Sequence, residues 1–134
     1  MIEFPFIEFE SESLGRILKP FALVTLINGK NRQEVVMLID SGADVTLISK
    51  RRGKRLEFEP PQQDETKSLG GIAGSIPIVY RNLEIKIGGE IFSLKTAWAQ
   101  VENVPSVLGR VDMFDKFDIE FKQKDKKVIF RKRE

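Results

Sequence analysis

The stretch Val36-Met37-Leu38-Ile39-Asp40-Ser41-Gly42-Ala43-Asp44-Val45-Thr46-Leu47-Ile48 sets the terms for the rest of the chain. An apolar run ends in a carboxylate, a hydroxyl and a glycine follow at once, and a second apolar run resumes after Asp44. An acid between two buried strands is costly. Burying an unpaired carboxylate costs several kcal/mol, about as much as a domain's whole net stability. Asp40 therefore needs partners or an unusual protonation, and both are marks of a working site.

Upstream, Phe21 to Ile27 is β-branched and apolar, and Asn28-Gly29 separates it from the run Glu34 to Ile39. Asn-Gly between two such runs predicts a β-hairpin that delivers Asp40 at the end of its second strand. Residues 1–9 read as an extended edge segment restricted by Pro5, and 11–19 as a polar connection. Downstream, 50–67 reads as a polar loop, with a short strand possible at Leu56–Glu59. Ser68-Leu69-Gly70-Gly71-Ile72-Ala73-Gly74-Ser75-Ile76 reads as a glycine-rich hairpin with a mobile tip. Leu83, Ile85 and Ile87 alternate with charged residues, as in a half-buried strand, and Gly88-Gly89 turns the chain back into Ile91–Ala99. Val104 to Gly109 is another apolar run ending in glycine. Val111–Phe117 fits a short helix, and Ile119–Phe121 with Val128–Phe130 fits a last hairpin. Many short strands between turn signals predict a single all-β domain over residues 1–134, with one short helix near the C-terminus.

Composition narrows the chemistry. The chain has 134 residues, 41% hydrophobic and 31% charged, with no cysteine and no histidine. Disulfides, thiol nucleophiles, Ser-His-Asp triads and ordinary zinc sites are excluded. No metal and no cofactor is expected. No apolar run is long enough to span a membrane and no leader pattern opens the chain, so a cytoplasmic protein is the expectation. The net charge of +2 is unevenly spread. Glu3, Glu8, Glu10 and Glu12 make the start acidic. Lys50-Arg51-Arg52-Gly53-Lys54-Arg55 and the segment after Phe121 are basic. Such patches serve nucleic-acid binding in some proteins. Without aromatic residues interleaved at 50–55, a solvated surface is the better reading, and a nucleic-acid partner is not expected.

Three features now stand in order: apolar-Asp40-Ser41-Gly42-Ala43-Asp44, then Leu69-Gly70-Gly71-Ile72-Ala73-Gly74, then Val107-Leu108-Gly109-Arg110. Singly, each is a common turn or loop. Together, over residues 20 to 121, they resemble the retroviral-type, or retropepsin-like, aspartic proteases. That family has Asp-Thr/Ser-Gly-Ala-Asp after an apolar strand, a glycine-rich flap, and an apolar-apolar-Gly-Arg motif before its helix. The resemblance implies an acid-protease fold and an aspartic endopeptidase acting on extended peptide or protein substrates.

Asp40 would be the catalytic acid of a dyad. Two carboxylates about 3 Å apart cannot both ionise, so one keeps a proton and the pair divides into base and acid. The chain has one Asp-Ser/Thr-Gly only, so the dyad requires a second copy related by a twofold axis, Asp40 against Asp40′. By the same resemblance Ser41 would bond across the axis. Gly42 and Asp44 would meet substrate main chain, as would Gly70, Gly71 and the flap-tip Ile72. Leu38, Val45, Ile72, Pro105 and Val107 would line pockets favouring hydrophobic residues at the cleavage site. Asp44 and Arg110 would form a structural ion pair. Ala43 lacks the hydroxyl that steadies an ionised dyad in some relatives, which moves the expected optimum toward neutral. Two other readings stand beside it: the same fold as a catalytically weak peptide-binding or dimerisation module and, less favoured, a nucleic-acid-binding β-domain using the basic 50–55 cluster and tail.

Overall fold

The computed structural model describes residues 1–71 and 74–134. Its central element is a sheet that closes on itself. The strands are Phe21–Asn28 (β4), Asn31–Ile39 (β5), Thr46–Ile48 (β6), Lys67–Gly71 (β7), Gly74–Ile87 (β8), Glu90–Ala99 (β9) and Val107–Leu108 (β10). They lie in the order β4-β5-β10-β6-β9-β8-β7, and β4 also pairs with β8, which closes the barrel. Closure removes sheet edges that would otherwise be open for pairing. Period-two alternation fills the interior: Val35, Met37 and Ile39 of β5, and Leu83, Ile85 and Ile87 of β8, are buried.

The β4–β5 hairpin turns one residue later than expected. Asn28 pairs with Asn31, so Gly29 and Lys30 form the turn. Only Gly29 of the two has positive φ, at 61°, as in a type II′ turn. The 14 residues of β8 serve two structures at once. Residues 74–78 pair with β7 to make the flap, and 78–87 pair with β9 in the barrel wall.

A second sheet caps the barrel. Ile2–Pro5 (β1), Phe117–Lys122 (β11) and Lys127–Lys132 (β12) lie in the order β1-β12-β11. The acidic start and basic end thus pair within one chain, with Lys127 Nζ 3.3 Å from Glu3 Oε1. Edge-to-face rings run from this sheet into the barrel: Phe4 on Phe130 at 5.7 Å, Phe130 on Phe117 at 5.5 Å, and Phe117 on Phe92 at 5.8 Å. Such contacts add about 0.5–1.5 kcal/mol each beyond burial. The helix at Met113–Lys116 (α2) buries Met113 beneath the same sheet.

Two expectations are corrected. Residues 11–19 are not only a connection: Ile7–Ser11 (β2) and Gly15–Lys19 (β3) form a separate hairpin, anchored by Phe9 stacked on Phe21 at 5.1 Å. The basic stretch is a helix, Lys50–Arg55 (α1), so the described residues hold two short helices and not one. Ser49 caps α1 by accepting from Arg52 N, and Arg52, Lys54 and Arg55 in its last turn suit the negative end of the helix dipole. Among the described residues no helix is long and apolar enough to cross a membrane.

Candidate active site

Asp40 stands where β5 leaves the barrel. β10 inserts beside it, parallel to β5 and antiparallel to β6, with Val107 opposite both Leu38 and Leu47. Main-chain bonds lock the junction: Leu38 N donates to Ser106 O (3.1 Å) and Asp40 N to Leu108 O (3.0 Å). The chain then turns sharply. Ala43 N donates to Asp40 O (3.2 Å), and Gly42 N donates to the carboxylate Oδ1 of Asp40 (2.9 Å). An Asp side chain closing its own turn in this way holds both the turn and its carboxylate in one orientation. Asp40 is half-buried, while Ser41, Gly42 and Asp44 are exposed. The acid therefore lies at the rim of the core with its loop facing outward.

The segment after β10 crosses this loop and pins it. Arg110 N donates to Ala43 O and Val111 N to Asp44 O, both at 2.9 Å. Gly109 passes so close to Val45 that a Cβ would lie 2.4 Å from the Val45 carbonyl carbon. Only glycine fits there. Gly109 N donates to Thr46 Oγ1 at 3.1 Å, and Thr46 is fully buried. Sequence reasoning passed over Thr46. Its signal was a lone hydroxyl inside Val45-Thr46-Leu47-Ile48, where a buried polar atom needs a partner.

The structure does not form the expected Asp44–Arg110 ion pair. Arg110 directs its guanidinium elsewhere: Nη1 is 3.5 Å from Ser41 O, and the group sits over the Phe114 ring at 4.9 Å. Asp44 is linked to this segment through its main-chain carbonyl instead. The aromatic face of α2 competes for the cation, and Asp44 keeps its carboxylate toward solvent.

The flap rises over the same region. Gly70 pairs with Ser75 and Gly71 with Gly74. At its root Leu69 and Ile76 pack, with Leu47, Tyr80 and Val104, on a buried cluster of Val45, Ile78, Ala97 and Ala99. This apolar seam joins flap, Asp40 loop and β9. The expected flap-tip residue Ile72, like Ala73, lies outside the described residues. Val45 and Val107 are only 8% and 6% exposed, so in one chain neither offers an open face. Leu38 is half-buried and Pro105 exposed. Among the described residues no group of three or more Asp or Glu side chains is placed to hold a metal ion.

Beside the flap, Arg81 gathers the 59–65 loop. Its guanidinium bonds the Glu65 carboxylate and donates to the carbonyls of Tyr80 and Glu59, both at 2.8 Å. The Arg81 hydrogen bond, with a further one from Gln62 N, holds the Glu65 carboxyl below the usual carboxylate range.

The comparisons with known proteins bear on the family and the fold. A family model described as aspartyl protease matches residues 24–111, from β4 to just past the Gly109 crossing. Among solved structures the chain is similar to EIAV protease complexed with the inhibitor HBY-793. That match has 22% sequence identity and a TM-score of 0.58, and it covers 72% of this chain and 86% of that one. At that identity the likeness is one of fold. No curated protein matches the chain.

Proposed function

This chain belongs to the aspartyl protease family, with a retropepsin-like fold, and from that premise we propose that it cleaves peptide bonds as a homodimer. Two Asp40 loops would meet at a twofold axis, each supplying half of the dyad. The observation that carries this reading is the Asp40 loop itself. It is a single Asp-Ser-Gly turn, pinned from behind by Gly109 and presented on an exposed rim. A second acid in the same setting has no source within the chain.

The chemistry follows from one proton shared by two carboxylates. The ionised Asp40 takes a proton from a water whose oxygen attacks the scissile carbonyl carbon. The protonated Asp40′ gives its proton to the carbonyl oxygen, leaving a tetrahedral diol. Collapse returns a proton to the amide nitrogen as the C–N bond breaks, and the dyad again holds one proton. Neither a covalent intermediate nor a cofactor takes part. Ser41 would bond across the axis. Gly42, Asp44, Gly70, Gly71 and Ile72 would hold an extended substrate as an added strand between loop and flap, with alternate side chains read by pockets above Val45 and Val107.

The test compares wild type with Asp40→Asn on a denatured protein across pH, with sedimentation of both proteins in parallel. Wild-type cleavage, loss of cleavage in the variant and dimers in both are expected. Undiminished cleavage by purified Asp40→Asn protein overturns the proposal.

A further inference from the structure

The basic stretch 50–55 plays no part in the site above, yet α1 gives it a shape. Arg51, Arg52 and Arg55 line an open cleft of about 350 Å³, together with Ser49, Glu102, Asn103 and Val104. Three cations thus share one concavity. Among the described residues none of the three guanidinium groups has a carboxylate within 4.0 Å. Glu102, the one acid in the wall, accepts from Arg51 N at 3.2 Å. Arg52 is held by neutral partners: Nε donates to Ser106 Oγ at 3.0 Å and Nη1 to Gln33 Oε1 at 3.4 Å. Partial burial and the neighbouring Arg55 both push the Arg52 pKa down, the sign of cationic charge left uncompensated.

The cleft adjoins the segment that would border the proposed substrate groove. Val104 lines it on one side and packs against the flap-root cluster on the other. Ser106, which fixes Arg52, also accepts from Leu38 N beside Asp40 through its carbonyl. Val104 and Ser106 thus link the cleft to the strands that carry Asp40 and the flap root. We propose that this arginine cleft is a substrate subsite for acidic side chains, Asp or Glu, lying a few residues outside the apolar pair at the scissile bond. The proposal rests on the protease reading. A peptide is favoured over nucleic acid because the cleft has no aromatic lining and lies beside the segment that joins the Asp40 strand and the flap root.

The experiment uses fluorescent peptides with one apolar core and either Glu-Glu or Gln-Gln flanks. Binding is measured on Asp40→Asn protein and cleavage on wild type. The Glu-flanked peptide is expected to bind about tenfold more tightly at low salt, with the advantage shrinking as salt rises. Arg51→Gln with Arg55→Gln should erase the advantage, and Lys at both positions should retain much of it. Equal binding of the two peptides, or an advantage that survives the Gln variant, overturns the proposal. So does a single-stranded oligonucleotide that binds through these arginines more tightly than the acidic peptide. Arginine-dependent binding of the Glu-flanked peptide without any wild-type cleavage would uphold the cleft and overturn the protease reading. Cleavage of both peptides without an arginine effect would do the reverse.

Discussion

Gly53 and Trp98 occupy each other's space so completely that a Cβ on Gly53 would lie 2.1 Å from the indole nitrogen. The indole N–H is committed, donating to Lys50 O at 3.0 Å, and the ring also packs on Phe58 at 5.5 Å. Helix propensity alone favours Gly53→Ala by about 1 kcal/mol. Overpacking of the ring costs about 1–3 kcal/mol and the displaced hydrogen bond about 1 kcal/mol more. The net expectation is a loss of stability, read as a lower urea midpoint followed by Trp98 fluorescence. An unchanged or raised midpoint would show that the ring yields freely.

Gly109 and Gly42 flank the same loop but fail differently. At Gly109 a methyl group meets the Val45 backbone, which cannot move without breaking the crossing. Gly109→Ala should cost roughly 3 kcal/mol or more and abolish cleavage. At Gly42 the methyl lies 3.3 Å from Asp40 Oδ1, the far end of a side chain. Gly42→Ala should leave stability within about 1 kcal/mol and lower kcat at least tenfold by turning the carboxylate. Thermal melts beside kinetics separate the two, and similar melts for both variants would contradict the distinction.

Thr46→Val keeps shape and removes the acceptor for Gly109 N. An orphaned buried N–H costs about 1–3 kcal/mol. Thr96 is equally buried, but its hydroxyl makes only a 3.5 Å bond to Leu94 O. Thr96→Val should therefore cost less than Thr46→Val, under about 1 kcal/mol. Paired denaturation curves test the order.

The Glu65–Arg81 clasp carries a pH dependence of known sign. The folded-state pKa of Glu65 is depressed, so its contribution is fully present above the ordinary glutamate value of about 4.3 and is lost as pH falls through the lower folded value. Amide protection over residues 62–66 should drop across that acidic window in wild type. In Glu65→Gln it should be low at every pH. A wild-type profile as flat as the variant's would place the loop's anchorage elsewhere.

The parts of this chain that were readable beforehand were local patterns. The β4–β5 hairpin, the Asp40 turn, the flap strands and the Gly109 segment each announce themselves within about ten residues. The missed parts depend on distant partners. Nothing near Gly53 reports that Trp98 will lie against it, so α1 passed for a loop. Arg110 was assigned to Asp44 by motif, whereas Phe114, placed one turn on by α2, takes the cation. The β2–β3 hairpin had a visible signal in Ile7, Phe9 and Ile17 alternating with Glu8, Glu10 and Arg16, but charge obscured the alternation. Thr46 was hidden because its hydroxyl matters only once Gly109 is laid across it.

β12 is bordered on both sides by strands of its own chain, β1 and β11. A second copy therefore has no vacant lane to thread there and can add only along the outer edges or through the Asp40 loops. On the homodimer reading proposed above, each protomer would come to the encounter already folded. Dilution should then switch off cleavage while leaving the circular dichroism spectrum intact, so that protein concentration controls the catalyst without controlling the fold.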